Sequence, residues 1–137
     1  MNSAQISSFL NKTIEKTKSQ ELVWSPLSAD LEVKPLHAPS SHFPSFGYSL
    51  IKSISYMASY KTGKILLLTY SSDPQLYFTT PPDGCVFSLR MQDAISEYSI
   101  EITNSRTQFA PELIRLYNII DNISPTLTTL LDDFLNS

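Results

Sequence analysis

The chain has 137 residues, 42% of them hydrophobic and 17% charged, with 10 basic against 13 acidic side chains and a net charge of −3. That length suits one domain that buries its own core without metal or disulfide staples. The acidic balance argues against direct nucleic-acid binding and against a membrane-surface role, both of which need a concentrated positive field.

The longest purely apolar run, Ile65-Leu66-Leu67-Leu68, is far shorter than a bilayer span. Met1-Asn2-Ser3-Ala4-Gln5 lacks the charged start and apolar centre of a signal peptide. One cysteine, Cys85, leaves no internal disulfide, so the expected compartment is the reducing cytoplasm.

In residues 4–18, Ile6, Phe9, Leu10 and Ile14 fall on one helical stripe, with Lys12, Glu15, Lys16 and Lys18 off it. Asn2 or Ser3 is the expected cap. Glu21–Ser25 reads as a short edge strand anchored by Trp24 and stopped by Pro26. Pro26, Pro35, Pro39 and Pro44 then break any helix through residues 27–47. Asp30–Lys34 alternates and suits a short strand. Leu31, Val33, Leu36, Phe43 and Phe46 favour an excursion laid across an apolar surface.

Residues 49–91 read as an antiparallel meander of four strands. Leu50–Tyr60 alternates with period two over eleven residues, a strand with one wet face. Gly63 is expected to supply a positive φ in the hairpin turn Lys61-Thr62-Gly63. Ile65–Tyr70 is apolar on both faces, the mark of a central strand. Gln75–Thr80 is the expected third strand, and Pro81-Pro82-Asp83-Gly84 the turn into a fourth, Cys85–Met91. From 92 to 109 two readings stay open. Tyr98, Ile100 and Ile102 alternate with Ser99, Glu101 and Thr103 as in a strand, while a helix through Asp93–Tyr98 is the alternative.

The C-terminal part reads as helical. Pro111 suits the first turn, and Leu113, Leu116, Tyr117 and Ile120 form a stripe that Ile119 and Ile123 widen. Ser124-Pro125 restarts the chain as cap and first residue, and Leu127, Leu130, Leu131 and Phe134 form a second stripe. The whole, residues 1–137, is expected to be a single α+β domain. One antiparallel sheet of four to six strands carries the N-terminal helix and a C-terminal helix pair on one face.

Such a sheet needs cover on its second face too, either from the 27–47 excursion or from another molecule. Tyrosines on the strands (Tyr56, Tyr60, Tyr70, Tyr77) suit a protein partner, although tyrosine is also an ordinary half-buried strand residue. The candidate contact residues are therefore Trp24, Tyr56, Tyr60 and Tyr70. Asp132 and Asp133 join them as an acidic contact at the end of the last helix, where the dipole disfavours negative charge.

Gly47, Gly63 and Gly84 are too far apart for a phosphate loop or a dinucleotide fingerprint. His37 and His42 share one loop with Asp30 and Glu32, but the spacing matches no metal site. Cys85 opens a strand after a turn, without the helix N-terminus or cationic neighbour that activates a thiol. No Gly-x-Ser-x-Gly elbow is present. An enzyme is not expected, nor a cofactor.

The order of helix, Leu-Val-Trp-Ser, tyrosine-bearing strand, Ile-Leu-Leu-Leu strand, Leu-Tyr-Phe strand and Glu-Leu-Ile-Arg-Leu-Tyr-Asn-Ile-Ile resembles a loose group of small uncharacterised bacterial proteins, often linked to phage or other mobile elements. It covers Phe9–Trp24 and Tyr56–Leu135, and Pro26–Gly47 departs from it. The resemblance implies a non-enzymatic interaction or regulatory protein with no catalytic residue to carry over. A protein partner or self-association, as in a homodimer, is expected. Two alternatives remain. One is an acidic inhibitor that meets a basic surface through Asp121, Asp132 and Asp133. The other is a ligand-binding protein or enzyme with a pocket under residues 27–47, lined by His37, His42 and strand tyrosines.

Overall fold

The computed structural model describes residues 1–27, 34–35, 48–71, 85–93, 95, 98–122 and 134–136. Helix α1 spans Ser3–Lys18. Asn2 caps it, accepting from the Gln5 amide at 2.9 Å while the Gln5 side chain accepts from the Asn2 amide at 3.0 Å. This reciprocal pair satisfies two of the helix's orphan donors. Leu10 and Ile14 are buried and Ile6 and Phe9 pack beside them, so the expected stripe forms. Thr13 and Thr17 widen it by returning their hydroxyls to the carbonyls four residues back. Past the cap residue Ser19, the left-handed φ of 62° at Gln20 turns the chain back so that the Leu22 amide reaches the Lys16 carbonyl.

Seven strands form one sheet among the described residues: β1 (Trp24–Pro26), β2 (Lys34–Pro35), β3 (Ser49–Leu50), β4 (Tyr56–Tyr60), β5 (Gly63–Ser71), β6 (Val86–Asp93) and β7 (Tyr98–Asn104). The spatial order is β1-β4-β5-β6-β7-β2, with β3 also paired to β5. Pairing is antiparallel except where β2 runs parallel to β7. Helix α2 (Ala110–Asn122) follows. The architecture is α+β, as the alternation of periods predicts.

Strand β5 is central. Ile65 and Leu67 face α1 and α2 in one cluster with Leu10, Ile14, Trp24, Leu113, Leu116 and Ile120. Leu66, Leu68 and Tyr70 face the other way, against Leu27, Val86 and the half-buried Tyr48, Leu50 and Met57. Both faces of β5 are thus covered within the chain. Leu27 and Tyr48 border the proline-rich excursion, most of which lies outside the described residues.

Several expectations need correction. The expected strand Gln75–Thr80 lies outside the described residues. Strands β5 and β6 pair directly and antiparallel from Gly63↔Asp93 to Tyr70↔Val86, so the expected meander order, with another strand between them, does not hold. An intervening strand would make those two run parallel.

The expected eleven-residue strand Leu50–Tyr60 is broken. Five residues, 51–55, separate Leu50 from Tyr56, yet only Leu68 and Thr69 separate their partners Tyr70 and Leu67. A 3₁₀ turn at Lys52–Ile54 takes up the surplus. The Ser55 hydroxyl receives the Thr69 amide at 2.9 Å, and the Thr69 hydroxyl donates to the Ile54 carbonyl at 2.9 Å. Side chains thus replace the interrupted ladder, which no alternation pattern reveals.

Gly63 also works differently from the expectation. The positive φ of the hairpin belongs to Lys61, at 51°. A β-carbon on Gly63 would lie 2.9 Å from the Gln92 carbonyl oxygen, so glycine is needed for backbone approach. Gly63→Ala is expected to cost about 1–3 kcal/mol through this overpacking, read from the denaturant midpoint.

Residues 98–104 form a strand, which resolves the two open readings, and α2 buries the expected Leu113, Leu116, Tyr117 and Ile120. The second helical stripe lies largely outside the described residues, of which Phe134 and Leu135 are helical.

Candidate functional site

Three of the expected contact residues are core. Trp24 is 3% exposed, and its indole N–H donates to the Thr17 hydroxyl at 2.9 Å. Tyr56 lies on the helix side of the sheet and donates to Asp121 at 3.0 Å, across from the Tyr117 ring. Tyr70 is buried on the opposite face. Tyr56 and Tyr60 alternate onto the same face of β4, but the hairpin register that pairs Tyr56 with Leu67 puts Tyr70, three residues further along β5, on the opposite face. Tyr60 is exposed, with the Lys61 ammonium over its ring. Tyr77, Asp132, Asp133, His37 and His42 lie outside the described residues, as does most of the pocket expected under 27–47.

Burial pushes the Tyr56 phenol up to about 12, helped by its bond to Asp121. Burial also pushes Tyr70 up to about 12, with Arg90 pulling it back and Glu101 adding to the rise. Tyr117 is raised by burial as well. These folded-state values exceed the unfolded value of about 10, so the native state holds the phenolic protons more tightly. The stability this gives is complete below the unfolded value and is lost as pH climbs through the folded values. In a phenolate absorbance titration, Tyr56, Tyr70 and Tyr117 are expected to lag the exposed tyrosines and then ionise together with alkaline unfolding. Simultaneous titration of all seven tyrosines in the folded protein would contradict this.

Sequence reasoning missed a polar layer on the face away from the helices. Arg90 is 1% exposed. Its Nε donates to the Ser99 hydroxyl at 2.6 Å, its Nη2 to the Ser99 carbonyl at 3.1 Å, and its Nη1 stands 3.3 Å from Glu101 Oε2. Glu101 also accepts from the Ser88 hydroxyl at 2.6 Å and from Asn104 at 2.7 Å. A bulge, where Leu89 pairs Thr103 but Arg90 pairs Glu101, aims these side chains together. Burial draws Arg90 down from its ordinary value, opposed by Tyr70 and Glu101. The arginine and glutamate neutralise each other, a structural arrangement rather than a poised acid or base.

Burying polar side chains on one face of β7 turns its apolar ones outward. Ser99 and Glu101 are buried, whereas Tyr98 is 49% and Ile100 56% exposed. Met91 pairs with Ile100 and is 38% exposed. By register these three lie on the face that α1 and α2 cover elsewhere, where Ile65 and Leu89 are buried. Among the described residues, α1 and α2 leave Met91 and Ile100 partly exposed at this corner of the sheet. The signal was present in the sequence as alternation, but alternation does not say which set faces inward.

Beside that strip, α1 and the corner formed by Tyr60, Ile65 and Met91 enclose a groove of about 390 Å³. Phe9 and Leu22 supply more apolar wall, Met1, Gln5, Ser8 and Thr13 line its helix side, and Lys12 and Lys16 complete it.

Burial pushes the Cys85 thiol up, opposite to the shift that activates a nucleophile. Among the described residues no group of three His, Cys, Asp or Glu could hold a metal ion, and no helix is long and apolar enough to cross a membrane. The chain matches no protein-family model, and searches of curated proteins and of solved structures gave no match.

Proposed function

We propose that this is a non-enzymatic interaction protein whose contact surface is the outward strip Met91–Tyr98–Ile100, with Tyr60 at its margin. The single observation that carries the reading is the inversion of β7, with Tyr98 and Ile100 about half exposed while Ser99 and Glu101 are buried. Leaving a large aliphatic side chain in water forfeits about 1.5–3 kcal/mol relative to burying it. The Arg90–Glu101 layer takes the inner face and turns these side chains outward, and a partner that covers the strip recovers the loss. Methionine and aromatic residues are enriched in the centres of protein interfaces. The acidic-inhibitor alternative draws less support, since Asp121 already accepts from Tyr56.

A photo-crosslinking residue at position 100 tests the reading, with position 114 on the outer side of α2 as control. Crosslinking in cells at 100 but not at 114, lost with Tyr98→Asp, is the expected result. Equal yields at both positions, or none at 100, would refute it. Light scattering separates the partners. A dimer dispersed by Ile100→Asp identifies a second copy, and a monomer that still crosslinks identifies another protein.

A further inference from the structure

The geometry points to a second site: the groove between α1 and the β4–β6 corner binds an anionic single-chain amphiphile, such as a medium-chain carboxylate. Its volume of about 390 Å³ falls in the roughly 300–1,000 Å³ range of small-molecule pockets. A protein partner, by contrast, needs hundreds of Å² of surface. The floor is Leu22 and Ile65, both buried, and the walls are Phe9 and Met91. Thr13, on the helix side, already spends its hydroxyl on the Phe9 carbonyl at 2.7 Å. An apolar tail fits such a floor better than a polar ligand does.

The charge of the groove selects the headgroup. Among the described residues that line it, Lys12 and Lys16 carry the side-chain charges, with the Glu21 carboxylate beside Lys16, on a chain whose net charge is −3. Lys16 pairs with Glu21 at 2.9 Å, and both side chains are solvent-accessible. A pair of that kind exchanges partners at little cost. The ammonium groups are thus placed to receive a carboxylate at the mouth while the tail lies against the floor.

Titration calorimetry with octanoate, decanoate and dodecanoate, each below its micelle threshold, tests the assignment. Affinity is expected to rise about fourfold per added methylene until the groove is filled. Dodecanoate should bind more tightly than dodecyltrimethylammonium. Lys12→Glu combined with Lys16→Glu should reverse that preference, and Met91→Asp should weaken dodecanoate at least tenfold. Met91 and Tyr60 belong to both surfaces, but Ile100 lies outside the groove, so Ile100→Asp should leave dodecanoate binding unchanged while it breaks the protein contact. Absence of saturable binding would overturn the proposal, as would equal affinity for the cationic amphiphile. Binding to phosphatidylglycerol vesicles without binding to monomeric dodecanoate would also overturn it, in favour of a lipid surface. If Met91→Asp fails to fold, the lysine pair, exposed or half-exposed on α1, still decides the matter.

Discussion

Arg90→Met is expected to destabilise the fold by about 3–5 kcal/mol, the usual penalty for removing one partner of a buried ion pair. Arg90 is 1% exposed, and its guanidinium ties β6 to three groups of β7, the Ser99 hydroxyl, the Ser99 carbonyl and the Glu101 carboxylate. Without it, a carboxylate stays buried with its cationic partner gone. Urea denaturation measures the loss. The companion variant Arg90→Met with Glu101→Leu removes both charges and substitutes apolar volume. It is expected to recover most of the stability, because a buried pair is often replaceable by well-packed hydrophobic residues. A double variant as unstable as the single one would place the loss in packing rather than in the stranded charge. Either outcome bears on the contact surface. This polar layer occupies the inner face of β7, so Tyr98 and Ile100 have only the outer face left.

Trp24→Ala is expected to cost about 3–5 kcal/mol, the range for truncating a large buried aromatic. Trp24 sits in the cluster that joins β1 to α1 and to the central strand. Its N–H feeds a short chain of bonds through the Thr17 hydroxyl to the Thr13 carbonyl, at 2.9 and 2.6 Å. Circular dichroism must follow the unfolding, since the variant loses the only tryptophan. Thr17→Val keeps the fluorophore and isolates the polar share. It is expected to cost about 1–3 kcal/mol by leaving the indole donor buried without its acceptor. A Trp24→Ala variant as stable as the parent would return this residue to the list of surface contacts.

Much of the fold was legible because it depends on local periodicity. The α1 stripe, the apolar run Ile65–Leu68 and the stripe Leu113–Ile120 each bury the side chains their spacing predicts. Register was not legible. Leu50–Tyr60 alternates well enough for one strand, but pairing with β5 inserts three extra residues as a 3₁₀ turn. The β4–β5 hairpin register, which pairs Tyr56 with Leu67, set Tyr56 and Tyr70 on opposite faces and removed the tyrosine surface the sequence suggested. The contact strip and the groove were illegible for a related reason. Tyr60, Ile65 and Met91 meet only because β4, β5 and β6 are neighbours, and no local pattern encodes which strands pair.

By itself the sequence determined the helix α1, the central strand with both faces buried, the stripe of α2 and the class α+β. Those follow from side-chain spacing and turn chemistry, which act over a few residues. The tertiary structure alone decided which face of β7 turns inward. That choice depends on the bulge beside Arg90 and on a buried charge finding its partner eleven residues away, an interaction that exists only once β6 and β7 are paired.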